Sequence, residues 1–287
     1  MKELKMTKTA DKLAIVSKIA RQTLIDEVSA TPKPGLVDCS NCGAHDDMNI
    51  DTFIKSANVL EHFFYEFAEY GYSTAYLKAT DILNGARKIG LDAEKAMYQA
   101  TGGVNTHKGM IFSGGLVCLS VGRLIALNDT ICIDNICGIS ADVVNGICEC
   151  DYSVLDNKIQ MSNGEKIYKE HGVKGSRGEA ESGFITVRKY SYPFLKECIE
   201  KRMPKNEVLV RTLMKTMSVI EDTNVIKRGG IEYLKYIKNR SSELINAEFC
   251  EIEQFDKELI HNNISPGGSA DILAVTWLIY NIEQRMG

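Results

Sequence analysis

The chain of 287 residues is long enough for one large domain or two ordinary ones, and its 44% hydrophobic and 25% charged residues exclude an intrinsically disordered chain. Its formal net charge of -4, from 34 basic and 38 acidic residues with no long basic run, argues against a nucleic-acid partner. The longest apolar stretch, Met110 to Ala126, is broken by Ser113, Gly114, Gly115, Ser120, Gly122 and Arg123, which argues against a membrane span. The start, Met-Lys-Glu-Leu-Lys-Met-Thr-Lys, has no apolar signal core, so a cytoplasmic protein is expected.

In chain order, Leu13, Val16, Ala20, Leu24 and Val28 recur at three-to-four spacing and predict a helix that Pro32 and Pro34 stop. A second helix is predicted after Asn49 or Asp51, with Ile50, Phe53, Ile54, Ala57, Leu60, Phe64 and Phe67 toward the core and Gly71 beyond its end. Ser73 can cap the next, ending near Gly90, and Asp92 a short helix carrying Ala93, Ala96 and Met97. A small-residue helix from Gly109 to Leu127 follows the glycines at 102 and 103, and Thr130 starts another. Asp151 to Gly183 is less periodic and predicts a long functional loop with a short helix around Glu165 to Lys169.

Pro193 and Pro204 fit the first turns of two helices, the second carrying Val208, Leu209, Leu213, Met217 and Ile220 before a loop from Glu221 to Gly230. The last helix is predicted from about Ser269, after Pro266-Gly267-Gly268. Alternating β patterns are scarce and strand-helix-strand alternation is missing. The expected fold is therefore all-α: a single compact multi-helix domain over residues 1–287, with Gly-rich polar loops converging on one cleft. The nine cysteines, without a secretory signal, read as reduced thiols rather than a disulfide framework. A zinc site would require Cys39-x-x-Cys42 to meet Cys148 and Cys150, and free or buried thiols are the expectation.

Phosphate-loop, dinucleotide-binding and His-Glu-x-x-His zinc spacings are absent. Five polar segments at helix ends carry the chemistry instead. In Thr31 to Met48, proline fixes a turn and Asp38, His45, Asp46 and Asp47 offer metal ligands or a proton acceptor, although aspartates that cap a solvated connector give the same pattern. In Thr101 to Gly109, Gly102, Gly103 and Gly109 permit close backbone approach; Lys108 adds charge at a helix start suited to phosphate, and His107 is either a donor or a packing residue. In Glu170 to Gly183, Lys174 and Arg177 suit a polyphosphate while Glu179 and Glu181 are either reactive carboxylates or dipole partners of a helix start. Glu221 to Gly230 sets acids and Asn224 before Lys227-Arg228-Gly229-Gly230, which could join Mg²⁺ to phosphate oxygens. Ser265 to Asp271 delivers Asp271 from a first helical turn, with Ser269 as a competing cap.

These segments, in this order, resemble the triphosphoribosyl-dephospho-coenzyme A synthase family. The strongest matches are Thr31-Pro32-Lys33-Pro34-Gly35-Leu36-Val37-Asp38, Gly43-Ala44-His45, Thr101 through Gly109, Arg177-Gly178-Glu179-Ala180-Glu181-Ser182-Gly183, Glu221-Asp222-Thr223-Asn224 and Ser265 through Asp271. Cys39 and Lys227 depart from the family pattern, where a basic residue and a histidine are expected.

The resemblance implies an all-helical pentosyltransferase that moves the triphosphoribosyl group of ATP to the 2′-hydroxyl of 3′-dephospho-coenzyme A and releases adenine. It implies a product passed to a transferase that loads the acyl carrier of citrate lyase or malonate decarboxylase. The residues carried over as catalytic are Asp38, His45, Glu179 and Glu181. Lys33, Gly103, Asn105, His107, Lys108, Lys174, Arg177, Asn224, Arg228, Gly229, Gly268 and Ser269 are carried over for substrate, and Asp47, Asp222 and Asp271 for Mg²⁺. A magnesium-dependent ADP-ribosyl hydrolase, a related acyl-carrier-loading transferase and a noncatalytic helical adaptor are the alternatives, and homo-oligomer formation is left open.

Overall fold

The computed structural model describes residues 2–153, 155 and 161–287, without side chains for residues 2–8. The fold is all-α, and no strand occurs among the described residues. Internal contacts divide the chain into two units, one of residues up to Asp26 with Asp51–Asn145 and Trp277–Gly287, the other of Glu27–Ile50 and Gly146–Thr276.

The helices are α1 (Lys2–Ser29), α2 (Ile50–Ser73), α3 (Leu83–Ala100), α4 (Lys108–Leu127), α5 (Ile133–Val143), α6 (Ile147–Tyr152) and α7 (Asn163–His171). They continue with α8 (Gly175–Glu181), α9 (Tyr192–Glu200), α10 (Lys205–Met217), α11 (Thr223–Leu244), α12 (Phe249–His261) and α13 (Gly267–Met286).

In the first unit, α4 is long and apolar enough to cross a bilayer, yet 78% of its most apolar window is buried inside the protein, so it serves as a core helix. Its small residues explain how it fits. A Cβ added at Gly122 would sit on the Ala68 carbonyl oxygen, one added at Gly71 on that of Leu119, and one at Gly115 would come within 2.7 Å of the Phe67 ring. Helices α2 and α4 therefore touch backbone to backbone, which side chains at these positions would prevent. Ser120 Oγ and Ser140 Oγ, 2.9 Å apart, link α4 to α5, and each hydroxyl also lies within hydrogen-bond reach of its own i-4 carbonyl. Arg123 donates to the carbonyls of Thr74, Ala75 and Leu77, closing the turn after α2.

Several boundaries differ from those expected. Gly71 lies inside α2, where its lack of a side chain admits α4. The helix expected from Ser73 to near Gly90 and the short one expected after Asp92 are one helix, α3, which starts at Leu83 after a 3-10 turn at Ala79–Asp81, while Ser73 is the last residue of α2. An interior glycine costs about 1 kcal/mol, and the burial of Ala86, Ala93 and Met97 on one face outweighs it. Helix α5 starts at Ile133 rather than Thr130, and the Ile133 amide donates to Glu283.

In the second unit, the long loop expected from Asp151 to Gly183 is mostly helical, as the end of α6, then α7 and α8; residues 154 and 156–160 of it lie outside the described set. Ser162 and Glu165 cap α7 reciprocally, and Gly172 ends it at φ 70°. The loop expected from Glu221 to Gly230 is also helix from Thr223, broken only at Gly230, whose φ of 78° suits glycine. Pro193 lies in the first turn of α9, whereas Pro204 caps α10 from just outside it. Helix α13 begins at Gly267, two residues before the expected start. All nine cysteines are free thiols, with Cys39, Cys42, Cys150 and Cys250 exposed.

The close approach of α2 and α4 gives a direct test. Gly122→Ala should lower unfolding stability by about 1–3 kcal/mol, the usual cost of overpacking, as measured by urea denaturation. A midpoint equal to that of the parent would show that the two helices can separate freely.

Candidate active site

Four of the five polar segments lie within the second unit; Thr101 to Gly109 lies in the first. The second-unit segments are joined residue by residue. Asp222 is the N-cap of α11: its Oδ1 accepts from the amides of Asn224 (2.9 Å) and Val225 (3.3 Å). Its Oδ2 accepts from the amide (2.7 Å) and hydroxyl (2.9 Å) of Ser269 in the first turn of α13. One buried carboxylate thus accepts from donors at two helix starts, sharing the Ser269 amide with the Pro266 carbonyl at 3.1 Å. Burial pushes its pKa up, against the four hydrogen bonds that pull it down. Gly268 is required beside it, since a Cβ there would lie 3.0 Å from the Asp222 carboxyl carbon, and a Cβ at Gly267 would lie 2.9 Å from Asn224 Nδ2.

The segment after α1 is held by two aspartates. Buried Asp38 accepts from the amides of Lys33 (3.1 Å), Ser40 (2.6 Å) and Asn41 (3.0 Å), so it shapes its own turn. Asp256 of α12 accepts from the Gly35 amide and from Asn41 Nδ2, both at 2.8 Å. Lys33, 1% exposed, directs its ammonium to Glu27 Oε1 at 2.6 Å, a buried ion pair.

Arg228 of α11 donates to the carbonyls of Ala44 (2.9 Å) and Asn263 (3.2 Å) and to Asn263 Oδ1 (2.8 Å). It therefore ties the first polar segment to the approach of α13. Gly229 faces Tyr233 and Ile264, where a Cβ would come within 2.8 Å of each. His45 Nε2 lies 2.9 Å from Ser265 Oγ, and its Nδ1 lies 3.5 Å from Arg228 and 3.7 Å from the exposed Asp47. Burial and then the Arg228 charge lower its pKa, favouring the neutral imidazole.

The α8 segment adjoins α11, where a Cβ at Gly175 would lie 3.1 Å from Thr223 Cγ2. Half-buried Glu179 accepts from the Thr186 amide (3.2 Å) and hydroxyl (2.6 Å), and burial raises its pKa. Burial also acts upward on Glu181, but the Cys148 amide and Lys174 outweigh it and lower the pKa. Arg177 pairs with Asp151 at 2.8 Å and lies 5.7 Å from the Tyr152 ring centroid. Asp271, just past the first turn of α13, has no hydrogen-bond or ion-pair partner among the described residues, and burial followed by the charges of Glu27 and Asp222 pushes its pKa well up.

In the first unit, the positive φ values of Gly102 (68°) and Gly103 (92°) open the turn before α4, with nothing within 4 Å of an added Cβ. Asn105 Oδ1 accepts from the Lys108 amide at 3.2 Å, and Lys108 pairs with Glu94. His107 is buried, with Nδ1 2.7 Å from Ser56 Oγ and its ring edge-on to Phe53.

Among the described residues, no group of three or more His, Cys, Asp or Glu side chains is arranged to hold a metal ion. The acceptors of Asp222 are spent on the two helix starts, and Asp47 lies at the surface beside His45. Of the three acids expected to hold Mg²⁺, only Asp271 has no hydrogen-bond or ion-pair partner among the described residues. Glu27, Asp256, Ser265 and Thr186 were not singled out from the sequence. Asp256 in particular sits in an ordinary amphipathic helix, more than 200 residues from the Gly35 amide that it holds, with no local signal of that contact.

The helices and the acid, base and glycine segments at their starts define an all-α group-transfer enzyme. A profile of the family described as "CitG: ATP:dephospho-CoA triphosphoribosyl transferase" matches residues 14–287, and the chain belongs to that family. It is 39% identical over 273 residues to a "Probable 2-(5''-triphosphoribosyl)-3'-dephosphocoenzyme-A synthase" of Citrobacter koseri, covering 93% of this chain and 90% of the relative. A crystal structure of a "putative triphosphoribosyl-dephospho-coA synthase" from Archaeoglobus fulgidus superposes with a TM-score of 0.49 at 17% identity, over 79% of this chain and 97% of that one.

Asp222→Asn places an amide NH₂ against an N–H donor at one of the two helix starts. It should destabilise the protein by about 1–3 kcal/mol, the cost of a buried unsatisfied donor, read as a lower urea midpoint at unchanged m. An unchanged midpoint would mean that the carboxylate is not a structural tie.

Proposed function

We propose that this chain transfers the triphosphoribosyl group of ATP to the 2′-hydroxyl of 3′-dephospho-coenzyme A with release of adenine. The match to the family over residues 14–287 carries this reading. In the reaction the acceptor oxygen attacks C1′ of the ATP ribose as the bond to adenine breaks, and the transition state has the oxocarbenium character of glycosyl transfer. The triphosphate stays on the ribose, so the protein must hold a polyanion while the sugar reacts.

The cations differ in how readily they can do so. Lys174 is 51% exposed at the side chain and paired at 3.4 Å with Glu181. Such an exposed pair is worth at most about 1 kcal/mol, so a phosphate can take it over at small cost. Arg177 can turn its terminal nitrogens from the Tyr152 hydroxyl to phosphate while its Nε stays on Asp151. Arg228 spends Nη1 on carbonyl oxygens, which assigns it mainly to positioning His45 and the segment around Ala44. Lys33 is committed to Glu27, so its contribution to substrate is through the shape of its loop. Gly103, Asn105 and Lys108, at an open turn before α4, remain candidates for substrate contact, and His107 supports that turn from below.

His45 and half-buried Glu179 are our candidates to accept the acceptor-hydroxyl proton, each with a hydroxyl partner, Ser265 or Thr186. Magnesium enters this proposal only as a counter-ion of the triphosphate, and the product goes on to an enzyme that loads an acyl carrier.

Mass spectrometry of the products tests the reading. Adenine release should require both ATP and 3′-dephospho-coenzyme A, in step with a product that carries an intact triphosphate. Adenine from ATP alone would indicate a hydrolase, and ADP or AMP as the only nucleotide product would contradict the transfer.

A further inference from the structure

We propose that Asp256 of α12, outside the segments that the sequence marks, is a positioning residue that sets the place of His45 through the side-chain amide of Asn41. The inference rests on the transfer reaction proposed above, in which His45 is a candidate acceptor of the hydroxyl proton. Asp256 is 5% exposed and acts on the imidazole through the segment that leads to it.

Two routes lead from this carboxylate to the residues just before His45. Along the first, Asp256 Oδ1 accepts from the Gly35 amide at 2.8 Å, and the Gly35 carbonyl accepts from the Ala44 amide at 3.1 Å. Gly35, at φ 71°, is pressed against the Ile264 carbonyl oxygen, on which an added Cβ would sit. Along the second, Asp256 Oδ2 accepts from Asn41 Nδ2 at 2.8 Å, and Asn41 Oδ1 accepts from the Gly43 amide at 2.6 Å. The routes converge on Gly43 and Ala44, and Arg228 of α11 holds the Ala44 carbonyl at 2.9 Å. His45 follows directly, with its Nε2 2.9 Å from Ser265 Oγ.

The polarity of the second route is fixed at both ends. The Gly43 N–H can only donate, so the Asn41 amide turns its oxygen to it and its NH₂ to α12. The Gly35 N–H can only donate as well, so both side-chain oxygens at position 256 must accept. A carboxylate meets this requirement, and an amide of the same shape does not. Asp256→Asn therefore brings two donors together at Gly35, at Asn41 or at Gly43, and the segment before His45 has to shift to relieve them. An imidazole displaced by a fraction of an ångström loses its line to the reacting hydroxyl while the fold stands.

The test reads kcat and KM of adenine release from ATP with 3′-dephospho-coenzyme A. In Asp256→Asn, kcat should fall about 10- to 100-fold, the cost of misplacing a reacting group, while KM for each substrate stays within about 3-fold. Combining Asp256→Asn with Asn41→Asp returns the missing acceptor, because the new carboxylate at 41 takes the amide at 256 and that of Gly43. In that exchanged pair kcat should recover to within about 3-fold of the wild-type value. In a His45→Gln background, Asp256→Asn should change the residual kcat by less than about 3-fold, since the group through which it acts is already gone. If Asp256→Asn does not fold, Asn41→Ala breaks the same route at a half-buried position and should show the same loss and the same dependence on His45. Equal losses with and without His45, or no recovery in the exchanged pair, would overturn the assignment and leave Asp256 as a structural tie alone. The wild-type enzyme is read first: if it releases no adenine, the transfer reading fails and this inference goes with it, whereas full kcat in Asp256→Asn removes the inference alone.

Discussion

The buried carboxylate of Asp222 is the interaction on which the arrangement of the second unit depends. Its four acceptor contacts tie the start of α11 to the start of α13, two helices whose first turns carry Asn224 and Ser269. An unsatisfied buried amide costs on the order of 1–3 kcal/mol, and here one residue satisfies the amides of Asn224 and Val225, shares that of Ser269 with the Pro266 carbonyl and accepts from a hydroxyl. The glycines at 267 and 268 follow from this, because any side chain there would press on Asn224 or on the carboxylate itself. The motif residues around Asp222 therefore make a joint between helices before they make a binding surface.

The same economy governs the neighbouring segments. Asp38 folds its own turn, Asp256 anchors that turn to α12, and Arg228 ties the end of the segment to Asn263. Most charged groups in this unit are thus committed to one another. Those left with spare capacity are Lys174, the terminal nitrogens of Arg177, the His45–Ser265 pair and Asp271.

Much of this was legible in the sequence, and the reasons for the rest are physical. The all-α class follows from three-to-four periodicity, and the positions of the polar segments from proline and glycine at helix ends. Helix extents were misread where local polarity competed with tertiary packing: α3 runs through Gly90 because Ala86, Ala93 and Met97 are buried, and α11 starts at Thr223 because Asp222 caps it. The Ser162–Glu165 capping box is readable and starts the short helix expected around Glu165 to Lys169, whereas charge and glycine content make the rest of that stretch resemble loop. The roles of individual acids were least legible. Asp222 and Asp271 look alike in sequence, as acids at helix starts, and only their partners separate a saturated structural carboxylate from an uncompensated one. Asp256 and Glu27 matter through contacts set by the fold, which no local pattern encodes.

The central claim is that one carboxylate holds two helix starts together, and amide hydrogen exchange measures this directly. In the wild-type protein the amides of Asn224, Val225 and Ser269 should be protected well above the level of a frayed helix start. In Asp222→Ala, protection should fall at all three amides together, on α11 and α13 alike. Loss confined to Asn224 and Val225, with Ser269 as protected as before, would show that Asp222 caps only its own helix and would contradict the account.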